Sequence, residues 1–174
     1  RSGINASALP GFSATYFRGA TALARARRAS LHVHVGRDRE EVELSLAVWG
    51  RRPIERLADL GVIDEHLVAV HAVLANPREI ALLGQGGASL AHSPIECVAN
   101  LNAVPDVQSF RQAGCRIALG CDNQANDMFA TMRAAWLLAG SYGLTRYDAA
   151  YLRADEIFAM ATTESARVLR LADR

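Results

Sequence analysis

The sequence predicts an α/β protein built on a parallel sheet, and three observations carry that prediction. Short apolar, β-branched runs alternate with helical patterns, and such alternation produces parallel strands joined by crossover helices. The runs are apolar at nearly every position, as expected of strands covered on both faces. Four of them finish on, or just before, a histidine or an aspartate.

In chain order, residues 1–14 are small and polar, contain Pro10 and Gly11, and read as a loop. Residues 15–29 are Ala/Arg-rich and predict a helix despite Gly19. Leu31 to Val35 form a strand ended by Gly36. Asp38-Arg39-Glu40-Glu41 opens a helix reaching about Trp49, with acids in the first turn, where the helix dipole favours them. Pro53 starts a further helix, closed at Gly61. A second strand runs from Leu67 to His71, and Asn76-Pro77 begins the next helix, with proline at its first position. Gly84 to Gly87 read as a flexible turn. They lack the Lys-Ser/Thr ending of a phosphate loop. Ala88 to His92 are the third strand, Pro105 to Ala113 a helix, and Cys115 to Gly120 the fourth strand, leading into Cys121-Asp122. Residues 127–139 form an apolar helix that Asn126 and Asp127 cap, and residues 153–171 are a final helical region. Trp49, Trp136 and Tyr151 read as helix residues that pack against neighbours, and His66 as a surface residue. One domain over residues 1–174 accommodates all of this.

Composition narrows the function. Of 174 residues, 51% are hydrophobic and 21% charged, which is enough apolar material for a packed core. The formal charge is +1, from 19 Lys/Arg against 18 Asp/Glu, so nothing electrostatic favours nucleic acid or an anionic membrane. The basic Arg25, Arg27 and Arg28 complement a helix C-terminus. No apolar run is long enough to span a bilayer. Three cysteines without a CxxC pair argue against a disulfide framework and for a cytoplasmic setting.

His34, His71, His92 and Asp122 stand at the C-terminal ends of successive predicted strands. Side chains at that edge of a parallel sheet converge on the ligand crevice. Imidazole and carboxylate are ligands for zinc and similar divalent metals. Cys121, adjacent to Asp122, alternates away from it and reads as a buried thiol.

The segments LHVHVGRDREEV, LVAVHAVL, LAHSP and RIALGCDN, with QANDMFATMRAAWLLAG and ADEIFAMATTESARVLRL downstream, resemble the fifth to eighth strands and following helices of metal-dependent amidohydrolases of the cytosine/adenosine deaminase and chlorohydrolase type. The resemblance implies a (β/α)₈ TIM-type barrel, here a partial barrel of about four strand–helix units. It implies a zinc, iron or manganese site with His34, Asp122 and His71 as ligands. Asp122 would also accept a proton, and His71 would act as a ligand or as a hydrogen-bond donor over the metal. His92 would sit at the substrate rim, with Asn126 as a second substrate-binding residue. The implied activity is hydrolysis of a non-peptide C–N bond, a deamination of a small heterocyclic substrate.

Departures from the family pattern keep other readings open. His32-Val33-His34 has the form of the family's first-strand His-x-His, yet its context matches the fifth strand. Four strands and two ligands would then lie outside this chain. Arg37 stands where the family has a proton-shuttling glutamate, and a guanidinium cannot act as a base. The seventh-strand segment reads His92-Ser93-Pro94-Ile95-Glu96-Cys97, where the family has Ser-Asn at the last two positions, and Asn123 replaces a glycine. The start at Arg1 without Met and the end at Arg174 point to a fragment, whose open sheet edges would pair with a second copy or with the missing half of the barrel. Two alternatives follow: a non-catalytic remnant, and a small open-sheet binding module.

Overall fold

The computed structural model describes residues 3–6, 11–101, 103–123, 126–146 and 151–171. Five parallel strands form one sheet: β1 (Ile4–Ala6), β2 (Leu31–Val35), β3 (Leu67–His71), β4 (Ser89–His92) and β5 (Arg116–Leu119). Their spatial order is the chain order, β1-β2-β3-β4-β5. A doubly wound open sheet reverses its strand order at a switch point, and this sheet does not. Monotonic order with a helix between neighbours is the wall of a (β/α)₈ barrel, which removes the open-sheet alternative.

The fifth strand corrects the expectation of four units. Ile4 to Ala6 lie within the stretch read as loop, and they pair with Leu31 to Val33. Pro10 of that stretch lies outside the described residues.

The helices are α1 (Ala14–Arg27), α2 (Arg39–Trp49), α3 (Pro53–Asp59), α4 (Pro77–Gln85), α5 (Pro94–Glu96), α6 (Val107–Gln112), α7 (Met128–Arg146), α8 (Ala154–Ala161) and α9 (Thr163–Val168). A π-helical turn, Cys97–Leu101, follows α5 directly. Sequence signals account for the starts. Ser13, Asp38, Asn76 and Asp106 cap α1, α2, α4 and α6 by accepting backbone N–H groups. Pro53 and Pro77 occupy first-turn positions, where a missing N–H costs nothing. Gly84 lies inside α4 rather than in a turn, and a Cβ there would lie 2.0 Å from the Ala113 carbonyl oxygen. Only glycine lets α4 pack so closely on the end of α6.

The two faces of the sheet divide the apolar residues by alternation. Leu31, Val33, Leu67, Ala69, Leu90, Ile117 and Leu119 join Phe17, Ile54, Leu57, Leu83 and Phe110 in the core between sheet and helices. His32, His34, Val68, Val70, Ala91 and Ala118 line the inner face, where an open cavity of about 460 Å³ lies. His66 is buried, not on the surface. Its Nδ1 lies 2.8 Å from the Ala29 carbonyl oxygen, tying the start of β3 to that of β2. Tyr151 is buried but precedes α8, and its hydroxyl bonds the Asp106 carboxylate. Trp136 projects outward from α7 and is 55% exposed. Among the described residues no helix is long and apolar enough to cross a membrane.

Candidate metal centre

Three of the side chains singled out in the sequence meet at the C-terminal rim of the sheet. One donor atom from each of His34, His71 and Asp122 lies within 4.8 Å of the other two. The imidazole rings of His34 and His71 are 5.2 Å apart, centre to centre, and His71 Nε2 is 3.6 Å from Asp122 Oδ2. Asp122 Oδ1 is occupied by the backbone N–H of Asn123 at 2.7 Å, which leaves Oδ2 for the site.

Alternation accounts for His34 and agrees with Asp122, which shares its parity with the cavity-lining Ala118 and Gly120, but it does not account for His71. His34 shares the inner face with His32, so β2 delivers it directly. His71 follows Leu67 and Ala69, which face the helices, and simple alternation would send it the same way. Its backbone leaves the strand instead. His71 and Ala72 both have left-handed φ, 69° and 47°. Asp122 shares this conformation, with φ 51°. Each such non-glycine residue costs about 1–3 kcal/mol, and such strain concentrates at ligand sites. Ala72 N–H donating to Val35 O, and Leu74 N–H to Gly36 O, hold the turn after β3 against the end of β2.

The electrostatics suit a neutral His71 ring. Burial lowers the pKa of His71, and the His34 charge lowers it further, against smaller opposite effects of Asp122 and Glu96. Metal coordination needs the unprotonated ring. His92 is fully buried, and burial followed by the His71 charge brings it down to about 4. It borders neither the inner cavity nor the polar one described next, so its neighbour is His71 and not an open rim. Asn126 is exposed and borders neither cavity. The cap on α7 comes from Asp127, whose Oδ1 accepts from the N–H groups of Phe129 and Ala130. Cys121 is half-buried, with the Thr131 hydroxyl 3.4 Å from its sulfur.

A polar cavity of about 350 Å³ opens beside the trio, bordered by His34, His71, Asp122, Arg37, Asp38 and Glu96 among others. Arg37 pairs with Asp38, Nε to Oδ2 at 2.8 Å, so its charge is balanced locally. Glu96 is the residue that the sequence flagged only as a departure. It is 92% buried (8% exposed), and its Oε1 accepts from Asn100 Nδ2 at 2.8 Å.

Glu41 supports the loop that carries Arg37. Its Oε2 accepts from the Arg37 N–H at 2.8 Å, and its Oε1 is buried without a partner. Burial is the main cause that raises this carboxyl to about 7. The folded protein therefore keeps a proton on Glu41 that the unfolded chain releases above about pH 4.5. The stabilisation is complete below that pH and is lost as pH rises through 7. Glutamine mimics the protonated side chain. Glu41→Gln is expected to match the parent at pH 5 and to exceed it at pH 8.5 by up to about 3 kcal/mol in urea unfolding. Equal stabilities at pH 8.5 would contradict this.

Fold and rim together define a (β/α)₈ barrel wall with the donor set of a divalent-metal centre. The chain belongs to the Amidohydrolase family, whose profile matches residues 1–174. It is 34% identical over 150 residues to a 5-methylthioadenosine/S-adenosylhomocysteine deaminase of Teredinibacter turnerae, covering 84% of this chain and 33% of the relative. It is 32% identical over 152 residues to a 5'-deoxyadenosine deaminase of Methanothermobacter thermautotrophicus, covering 85% and 35%. Among solved structures, an adenosine deaminase from Xanthomonas campestris with bound zinc superposes with a TM-score of 0.89 at 28% identity, over 99% of this chain and 39% of that one. A zinc complex of an atrazine chlorohydrolase from Arthrobacter aurescens gives 0.79 at 20% identity, over 97% and 38%, and shares the fold. The chain spans about a third of the length of the curated relatives it matches.

Proposed function

We propose that this chain forms the metal-holding part of a hydrolytic deaminase acting on an adenine-bearing nucleoside or a related small heterocycle. The observation that carries this reading is the convergence of His34, His71 and Asp122 donor atoms within 4.8 Å. The deaminase names of the relatives support the reaction class.

The residues fit a divalent ion in number and type. Two imidazoles and one carboxylate match zinc, with iron or manganese as substitutes. When bound, such an ion supplies Lewis acidity and lowers the pKa of water. His34 and His71 would hold it from the ends of β2 and β3, and Asp122 from the turn after β5. Asp122 Oδ2 takes a proton from the attacking water. Water adds to the ring carbon that bears the amino group. The C–N bond then breaks, and ammonia leaves with the proton that Asp122 held. His92 and Asn126 remain assigned to the substrate side, His92 through its neighbour His71 and Asn126 from the turn before α7. A cytoplasmic setting and self-association, or pairing with the first half of a barrel, belong to the same reading, within a single domain over residues 1–174.

One observation favours a second reading, a chain without turnover. Arg37 occupies a place in the cavity where a base is useful, and it cannot serve as one. Zinc titration of the purified chain, followed by ammonia release from adenosine and 5'-deoxyadenosine, separates the two. Stoichiometric zinc with ammonia release supports the deaminase. Stoichiometric zinc without release supports the inactive form, and no zinc uptake would sink both the metal centre and the enzyme.

A further inference from the structure

The side chains of α7 are distributed the wrong way round for a surface helix. Over residues 128–141 its buried positions hold small groups, Thr131, Ala135 and Ala139, while its aromatic side chains face solvent. Phe129 is 77% exposed, Trp136 55% and Leu137 58%. A helix at the surface of a single chain shows polar residues there, and a helix apolar on every side is covered on every side. The helices that α7 packs against, α5 and α8, leave these side chains bare. The exposed Phe129, Arg133, Trp136 and Gly140 recur at spacings of four, three and four, which is the seam of one helix lying along another. Arg133, the charged residue of this stretch, falls inside the seam. Gly140 has open space above it, since an added Cβ would meet nothing within 4 Å.

We propose that α7 is the interface of a homodimer, in which a second copy of the chain lays its own α7 antiparallel along this seam. The seam is complementary to itself, which is what selects a second copy as the occupant. A twofold axis between Ala134 and Ala135 sets Phe129 against Gly140 of the partner subunit, and Arg133 against the partner's Trp136. The Phe129 ring fills the space over the glycine, and the guanidinium lies on the indole face in a cation–π contact. The alanines at the axis let the two helices approach to about 8–10 Å. Every contact then occurs twice, as a closed dimer requires. A parallel pair in the same register would instead set arginine against arginine and glycine against glycine. The proposal gives the self-association of the functional reading a surface, away from the sheet edges β1 and β5, and it does not rest on the metal centre.

Sedimentation of the full chain is expected to show a monomer–dimer equilibrium with a dissociation constant on the order of 10 µM, because one helix pair is smaller than a standard interface. Trp136→Arg brings like charges together twice and weakens the dimer at least about 10²-fold, with an unchanged circular dichroism spectrum because the replaced side chain is exposed. Cross-linking with a short bismaleimide reads the orientation. Phe129→Cys mixed with Gly140→Cys is expected to couple, and neither variant couples by itself, because positions 129 and 140 lie about 16 Å apart along the helix. The native Cys121 adds the same background to all three samples. A parent that sediments as a monomer at about 100 µM overturns the proposal. So does a Trp136→Arg chain that dimerises like the parent, which would place the contact at the sheet edges, or coupling as strong within either cysteine variant as between them. Zinc titration of the same samples tests the metal centre separately, so either reading can fail without the other.

Discussion

Asp122→Asn is expected to lower ammonia release by at least about 10³-fold and to weaken zinc binding, with little change in stability. The carboxylate has two duties in the proposed chemistry, as one of three metal donors and as the proton acceptor. A neutral amide performs neither well. General acid–base groups alone contribute about 10²–10⁴-fold. The substitution is a clean one for structural reasons. Asn is nearly the size of Asp, and its amide oxygen can still accept the Asn123 N–H that Oδ1 now receives. The left-handed backbone at position 122, φ 51°, is also one that Asn tolerates better than most residues. The melting temperature should move by no more than a few degrees. Ammonia release within tenfold of the parent would remove Asp122 from the chemistry, whatever its effect on zinc.

How much of this was readable from residues alone differs by element. β2 and β3 announce themselves as five-residue runs with punctuated ends, and Asp38 and Asn76 mark the starts of their helices, whereas α6 starts at Val107 behind Asp106 and not at Pro105. β1 does not, because three residues centred on Asn5 carry no periodicity and become a strand only by pairing with Leu31 to Val33. The identity of the rim residues was legible, since parallel strands must end at one edge. The direction of His71 was not. His71 reaches His34 through a left-handed backbone that no alternation rule foresees. His66 looked exposed because it precedes a strand, but the Ala29 carbonyl captures its ring. Glu96 was visible only as an acid where the related family has serine. Its burial and its place on the wall of the polar cavity were not readable from the residues.

Glu79→Ala is expected to cost about 3 kcal/mol of stability, the largest loss predicted for any single charged side chain here. Glu79 is 1% exposed and ties the start of α3 to the start of its own helix, α4. Its Oε2 accepts from Arg52 Nε at 2.8 Å and from the Asn76 N–H at 3.1 Å, and its Oε1 accepts from the Ile54 N–H at 3.2 Å. Arg52 in turn donates from Nη2 to the Leu74 carbonyl at 2.6 Å. Truncation would leave the Arg52 charge and the Ile54 N–H without this acceptor. Breaking one side of a buried pair costs about 3–5 kcal/mol, and the partial exposure of Arg52 puts this case at the lower end. The nearby Arg78–Glu55 pair has a largely exposed arginine and should contribute less than about 1 kcal/mol. For a chain of this size, 3 kcal/mol lowers the melting temperature by roughly 6–12 °C. The cluster also fixes Leu74 and Asn76, the end of the turn that begins at His71. Zinc affinity should therefore fall in Glu79→Ala even though Glu79 borders no part of the polar cavity. Thermal melts and chelator competition on Glu79→Ala and Arg78→Ala in parallel make the comparison. If the two variants melt together, the cluster does not anchor the turn that presents His71.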